Sequence, residues 1–494
     1  MDFLDPKRKK SHNRRLLIGY LLVAVALALA TWILLLNGKF GYWIDPKTRT
    51  IIQNGTVFVD SNPGGANIAL NTVAQSNRTA SRLVLPGGQQ YTIKLTLDGY
   101  RDWTRVFALE GGKIERLTYP ILIPKQLVTT EPQLYSAEPG VTSQSLDKRW
   151  LLVQQPGQTY VFDLYDLNNP SSAPVPLTIP SNILTDGTKA SSINVVEWAS
   201  DNRHVLMERT ADGIHEFLMI DTSTIASSIN INTVLTINPT RINLRDRKYD
   251  QLYVYDGTGG LLRLGDTKNR TVSGAILNNV IDYTTYGSDI VMYATTSTKE
   301  PNEVDIRIRE NDKSSYLLKT IAPAEQYLLK VSEFESTPYY VVGSEKDKAA
   351  LVYRDPLLAL KGQSQTPLTV ASVLRLDNIN FVSFSPNFRF IAAQSKNKFI
   401  VYDIEGDRQY KLDLPHDIAA STKLLWVDGF HLGLTAKDSS YIVDFDGSNE
   451  QALAPSTLTG GPYFSADFKN LFTVAPSKSV SGRYSLTQTS LIKK

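Results

Sequence analysis

FSPNFRFIAA, residues 384–393, decides how this chain is to be read. An aromatic residue leads into a polar corner with Pro386 and Asn387, Arg389 follows, and an apolar run comes next. A corner of this composition feeding an aliphatic segment is the pattern of a β-hairpin. The pattern recurs in SLDKRWLLV (145–153), WASDNRHVLM (198–207) and FSADFKNLFTV (464–474). Asp147, Asp201, Asn387 and Asp467 share one slot, and Arg149, Arg203, Arg389 and Lys469 share another. Trp198, Phe384 and Phe464 lead three of the copies, while Gln144 breaks the pattern in the first.

The slots are 54, 186 and 80 residues apart, which hold one, four and two repeats. Seven steps of roughly 46 residues make eight repeats, a spacing that suits the blades of a propeller. Weaker copies fall near the expected positions in NLRDRKYDQLYVYDG, YGSDIVMYA, ESTPYYVVG and LLWVDGFHLGLTA. Each repeat is usually followed by a strand ending in Asp: YVFDLYD, LMIDTS, YVYDGTGG, IVYDIEG and YIVDFDG. The slot Asp or Asn is expected to cap exposed backbone N–H groups, and the aliphatic run to be the buried inner strand. The last copy is short of a fourth strand, so QLVTTEPQLYS (126–136) is expected to close the ring. The pattern resembles TolB-like propeller repeats, whose aromatic-Ser-Pro-Asp-Gly-Arg turn survives best at Phe384–Arg389. No copy keeps the Gly, which implies wider turns.

Ahead of the repeats, residues 55–124 have a period of two. YTIKLTL (91–97) places Tyr91, Ile93, Leu95 and Leu97 on one face, and Asp98-Gly99 is a two-residue turn signal. Trp103, Arg105, Phe107 and Leu109 alternate next, Gly111-Gly112 turns the chain, and KIERLTYPILI closes the unit. GTVFVDSNPGGANIAL and LPGGQQYTIKLTLDGYRDW resemble the PEGA domain over residues 55–123. Pro63, Gly65, Ala66, Gly88, Tyr91, Gly99, Tyr100 and Trp103 fall on its pattern. Gly64 stands where Glu is usual, and NTVAQSNRTAS (71–81) replaces a short loop ending in Thr-Pro. The resemblance implies a small non-catalytic envelope module. In its signature turn Pro63 should hold the first corner and Gly64 the positive φ of the second.

LLIGYLLVAVALALATWILLL, residues 16–36, carries no charge. As a helix it would be about 31 Å long, which matches a hydrocarbon core of about 30 Å. Ala28-Leu29-Ala30 resembles a signal-peptide cleavage site, but the apolar run continues through Leu36, which favours an uncleaved anchor. Lys7, Arg8, Lys9, Lys10, Arg14 and Arg15 precede it, against only Lys39, Lys47 and Arg49 just after. The positive-inside rule therefore predicts a cytoplasmic N-terminus with the bulk of the chain outside. Trp32, Phe40, Tyr42 and Trp43 would mark the outer interface.

The 494 residues are thus expected to form a basic cytoplasmic tail (1–15), a transmembrane helix (16–36) and a juxtamembrane linker (37–54). A PEGA-like antiparallel β-sandwich (55–124) and a β-propeller (125–494) of eight blades, or seven, follow. The net charge of +3 comes from the tail, which alone holds +4, so the body gives no sign of binding nucleic acid.

No cysteine is present, which excludes disulfides, thiolate metal sites and Cys nucleophiles. His12, His204, His215, His416 and His431 are scattered and lack zinc-site spacing, and His204 and His431 look like core or rim residues. VDSNPGG (59–65) lacks the spacing of a phosphate loop, and DGTGGLLRLGD (256–266) reads as a hairpin. In DFDGSNE (444–450) the Gly falls too early for an EF-hand loop, so a strand-end turn explains Asp444 and Asp446. No Gly-x-Ser-x-Gly elbow occurs. The sequence therefore nominates no catalytic, cofactor-binding or metal-ligating residue and no cofactor. The expectation is a non-enzymatic, membrane-anchored envelope protein that binds or scaffolds an envelope protein or cell-wall polysaccharide. The alternative is a propeller hydrolase of envelope carbohydrate or peptide, which requires carboxylates converging at a channel mouth.

Overall fold

The computed structural model describes residues 6–38, 41–44, 51–187, 190–311, 314–362, 367–415, 418, 422–436, 438–458 and 461–493. Asp2, Asp5, Lys39, Phe40, Lys47, Arg49 and His416 lie outside these residues. Helix α1 spans Pro6–Gly38. Its stretch His12–Ile33 has a mean hydropathy of 2.5, and none of its most apolar stretch is buried against protein. The chain divides into two compact units, Met1–Gln126 and Leu127–Ile492.

The first unit holds two four-stranded sheets. One contains β1 (Tyr42–Ile44), β2 (Ile51–Val59), β5 (Ser81–Pro86) and β8 (Ile114–Leu117). The other contains β3 (Asn67–Leu70), β4 (Val73–Arg78), β6 (Gln89–Thr96) and β7 (Trp103–Leu109). Alternation works as the period of two requires: Tyr91, Ile93, Leu95, Trp103, Phe107 and Leu109 are buried, while Thr92 and Lys94 face solvent. One pair departs from the antiparallel expectation, because β2 and β8 run parallel.

The signature turn also differs in detail. Gly65, not Gly64, carries the positive φ, at 82°. Thr79 explains why the corner is tight. Its hydroxyl accepts from the Ala66 N–H at 2.9 Å and bonds the Ser61 hydroxyl at 2.8 Å, and its N–H donates to the Ala66 carbonyl. The long 71–81 segment therefore forms β4 and returns to brace the turn it follows.

The second unit is a propeller of eight four-stranded sheets among the described residues. Their first strands are Thr142–Gln144, Ser192–Trp198, Arg241–Leu244, Val280–Tyr286, Lys330–Phe334, Phe381–Phe384, Leu425–Trp426 and Tyr463–Phe464. The first strands of blades 2 and 3, 4 and 5, and 5 and 6 lie side by side, which marks the first strands as innermost. The aliphatic run after each motif turn, such as Phe390–Ser395, is therefore the second strand, not the innermost one. It is buried because Ile391 and Ala393 pack on Val341 and Val352 of blade 5, while Phe390 packs on Trp426 and Phe445 of blade 7. Outer strands alternate toward solvent, as in Arg408–Asp413.

The ring closes with the segment expected to close it. β9 (Val128–Tyr135) is the fourth strand of the eighth blade, antiparallel to Tyr484–Ser490. Tyr135 then packs with Leu151, Val153 and Tyr165 of blade 1 and with Phe472, Val474 and Leu486 of blade 8. Its hydroxyl donates to Asp163 at 3.0 Å and bonds the Tyr165 hydroxyl at 2.7 Å. Burial pushes the Tyr135 hydroxyl pKa far up, so it stays a donor. Glu131 latches the same strand by accepting from Ser477, the Lys478 N–H and Ser479. Those bonds, the one from Ser479 first, hold its carboxyl down at about 2.

Each motif residue has a job. In blade 6 the Asn387 side-chain oxygen accepts from the Ser385 hydroxyl at 2.6 Å and from the Arg389 N–H at 3.2 Å. The Arg389 guanidinium grips Asp403, the Asp that ends the third strand, at 2.8 and 2.7 Å. Arg149–Asp166 and Arg203–Asp221 repeat the clamp in blades 1 and 2. In blade 3 the Asp of YVYDGTGG, Asp256, ends the second strand; the residue ending the third is Asp266, which Gln251 contacts at 2.9 Å. The turns without Gly are not wider. Lys148, Asn202, Phe388 and Phe468 occupy the Gly position with φ of 61, 54, 60 and 56°, and each closes a three-residue hydrogen bond.

Replacing Tyr135 by Phe keeps the ring packing but removes the donor to buried Asp163. We expect the propeller to lose about 1–3 kcal/mol in denaturant unfolding. An unchanged unfolding midpoint would show that the closing contact is only steric.

Candidate ligand-binding face of the propeller

The two ends of the propeller differ in what their side chains are free to do. On the turn face lie the connections between first and second, and between third and fourth, strands. The loop face carries the second-to-third turns and the links between blades.

The turn face is bonded to itself. The Asn202 side chain accepts from the Asp147 N–H at 3.0 Å, Ser200 donates to the Arg247 carbonyl at 2.8 Å, and Arg245 donates to the Ser288 carbonyl at 2.8 Å. Each bond joins one blade's turn to the next. Lys148 reaches over the Phe468 ring, 4.3 Å from its centroid, and donates to the Val427 carbonyl. Burial lowers its pKa, and Asp428 acts in the opposite sense.

The histidines belong to this bracing. His431 is buried in blade 7, with Nδ1 2.8 Å from Asp428 and Nε2 3.4 Å from Asp444. It bridges the motif slot and the third-strand Asp, as Arg389 does in blade 6. Burial alone would lower its pKa, but the bond and charge of Asp428 and the charge of Asp444 outweigh it and raise the value above 6.5. His204 sits 2.6 Å from Asp201 and stacks on Tyr249. Around DFDGSNE, Asp444 ends its strand and Asp446 lies in the turn. Asn449 donates to Asp444 and Ser448 to Asp446, so the carboxylates are engaged locally. Among the described residues no group of three or more His, Cys, Asp or Glu could hold a metal.

The loop face is different. Arg241, Asp282 and Lys330 lie at or near the first residues of the inner strands of blades 3, 4 and 5, and Lys423 lies just before that of blade 7. This places all four at the loop-face mouth of the central channel. Arg241 pairs with Asp282 at 2.8 Å, donates to the Tyr283 carbonyl at 3.2 Å and lies 4.0 Å over the Tyr283 ring. Tyr283 in turn donates to the Asn243 side chain at 2.9 Å. Lys330 is accessible to water yet walled by protein, as a channel side chain must be. Its pKa is lowered by that desolvation first and then by the charge of Lys423, with Asp282 acting oppositely.

A cavity of about 1150 Å³ opens on the same face over blades 4 to 6. Lys319, Lys348, Arg375, Lys396 and Lys398 line it, against Glu345, Asp347 and Asp377. Its wall reaches Asn380, the residue before Phe381, whose ring lies 5.7 Å from the Lys423 ammonium.

None of these cations was singled out from the sequence. A signal existed: Arg241 and Lys423 each stand five residues before a motif-slot Asp, Asp246 and Asp428. Only an alignment of the weak copies would have exposed it.

Residues 54–121 match the PEGA domain family. No curated protein matches the chain. Among solved structures, the Dos1 propeller is similar at 12% identity and a TM-score of 0.43, covering 74% of this chain and 94% of that one. The Myceliophteria_thermophila Cps50 (Swd1) β-propeller domain is similar at 11% identity and a TM-score of 0.39, covering 74% and 100%. An oligogalacturonate lyase in complex with manganese is similar at 11% identity and a TM-score of 0.38, covering 63% and 96%. Identities this low transfer no function.

Replacing His431 by Gln should flatten one component of the pH profile of stability. A raised histidine pKa contributes stability in full below the unfolded value of 6.5, and that contribution is lost as pH rises through the folded value. Thermal unfolding at a series of pH values should show wild type weakening over that window and His431→Gln not. Parallel profiles would refute the assignment of a protonated, doubly paired His431.

Proposed function

We propose that this is a membrane-tethered, non-enzymatic binding protein of a bacterial cell envelope. Helix α1 anchors it in the cytoplasmic membrane with the N-terminus inside, and the PEGA-like unit and the propeller stand outside. The observation that carries the reading is the unburied helix. Twenty or so apolar residues with no protein partner would cost many kcal/mol in water, at about 25 cal/mol per Å² of exposed apolar surface. A bilayer removes that cost, and the flanking cations set the direction. The ligand would be an envelope protein or a cell-wall polysaccharide.

The channel mouth supports binding over hydrolysis. A carbohydrate hydrolase needs a pair of carboxylates about the scissile bond. At the loop-face mouth the groups are Arg241, Lys330 and Lys423 around Asp282, a carboxylate already paired with Arg241. That arrangement suits recognition of a negatively charged partner.

The absence of cysteine makes the topology directly measurable. Val73 is 64% exposed on β4 and His12 lies at the start of the apolar stretch. In intact cells a membrane-impermeant maleimide should label Val73→Cys but not His12→Cys. Replacing Lys7, Arg8, Lys9 and Lys10 by Gln should scramble that pattern. Labelling of His12→Cys alone would invert the reading. Pull-down with the full chain in detergent should recover wall material or an envelope protein, and recovery of neither would count against a binding role.

A further inference from the structure

We propose that the loop-face mouth of the propeller channel is a binding site for a dianionic oxyanion group, phosphate or dicarboxylate, held by Lys330 and Lys423 beside Arg241. The inference goes beyond the tethering role and does not depend on which way the chain crosses a membrane.

The charge count at the mouth is unbalanced. Arg241 pairs with Asp282, and Asp282 accepts from the Tyr283 N–H at 2.8 Å through the same oxygen, so one carboxylate stands among three cations. Lys330 and Lys423 remain. Among the described residues neither ammonium has a hydrogen bond or an ion pair, although each carries three donors. Three cations against one carboxylate leave the mouth with a net charge of +2.

A lysine on an open rim would extend into water and keep its ordinary acidity. Lys330 does not: it stays exposed to water, but its place at the channel mouth surrounds it with protein and with the charge of Lys423, and its pKa is lowered. Like charges gathered at one channel mouth repel one another, and an anion bound among them offsets that repulsion. A dianion matches the residual charge of two, and its several oxygens match the separated donors that no protein acceptor fills. Packing does not explain the lysines either. Phe381, the ring beside Lys423, is 5.7 Å from its ammonium, near the outer limit for a cation–π contact.

The surroundings reinforce the sign. The five cations of the adjoining cavity make no ion pair among the described residues, while the chain beyond its basic tail is nearly neutral. A positive excess around the mouth raises the local concentration of anions there.

The test uses the full chain in detergent, with inorganic phosphate and succinate as separate probes in titration calorimetry. Wild type should bind at least one of them saturably, and affinity should fall as pH rises toward the ordinary lysine value of 10.5. Lys330→Gln with Lys423→Gln should weaken binding by about tenfold or more, the loss expected for charge-assisted hydrogen bonds. Lys268→Gln, on a third-to-fourth-strand turn of the opposite face, should change nothing. Acetylation of wild type read by mass spectrometry gives a second measurement that needs no variant: the bound probe should protect Lys330 and leave Lys268 reactive. Protection by phosphate alone would assign the site to phosphate groups, and protection by succinate alone to carboxylates. No saturable binding of either probe, an unchanged affinity in the double variant, or equal Lys330 labelling with and without probe would overturn the proposal. Any of these results would leave the topology and pull-down outcomes standing on their own.

Discussion

The propeller depends on one strand pairing. β9 reaches the eighth blade from the start of the domain and pairs with Tyr484–Ser490, at the other end of the chain. Without it that blade would end in an open row of backbone donors and acceptors, which is unstable and invites aggregation. The same strand brings Tyr135 against blade 1 and Glu131 against the turn at 477–479. Hydrogen bonds, a buried tyrosine pair and a latched carboxylate thus converge on the point where the ring would otherwise gape.

Closure then divides labour between the two faces. The recurring Ser-x-Asp-x-Arg turn spends its polar groups on itself and on the Asp ending the third strand, as Ser385, Asn387, Arg389 and Asp403 show. Neighbouring turns also bond each other, so the turn face is committed to architecture. Among the described residues the loop face shows no such repeating network. Its connections vary in length and composition, and its unpaired cations gather there without lowering the regularity of the blades. Binding groups can accumulate on one end because the other end holds the ring together.

Much of the architecture was legible because it rests on local chemistry. The slot Asp or Asn caps its own turn, so its spacing counted the blades even where the leading aromatic was lost. Alternation in YTIKLTL and in Trp103–Leu109 located the core of the small unit. The misreadings have local causes too. Gly64 and Gly65 are equally able to adopt positive φ, and only the grip of Thr79 on Ala66 selects Gly65. An aliphatic run is apolar whether it is the first or second strand, so its place in the blade could not be read from its content. Asp256 ends a strand before a Gly-rich turn just as Asp403 does, yet a strand earlier in its blade. The motif without Gly suggested wide turns, but Lys148, Asn202, Phe388 and Phe468 accept the left-handed conformation because the hydrogen bonds around them enforce it.

By itself the sequence determined the apolar helix, the two β-rich units, a repeat of eight blades or seven, and the strand that closes it. Each of these follows from periodicity or from contacts a few residues apart, apart from closure, which followed from counting strands. Only the tertiary structure decided where charge accumulates. Arg241, Lys330 and Lys423 lie on three different blades, and each looks like an ordinary strand-end cation in its own segment. Their meaning comes from a ring that turns the starts of separate inner strands toward one axis, where charges far apart along the chain must share a single mouth.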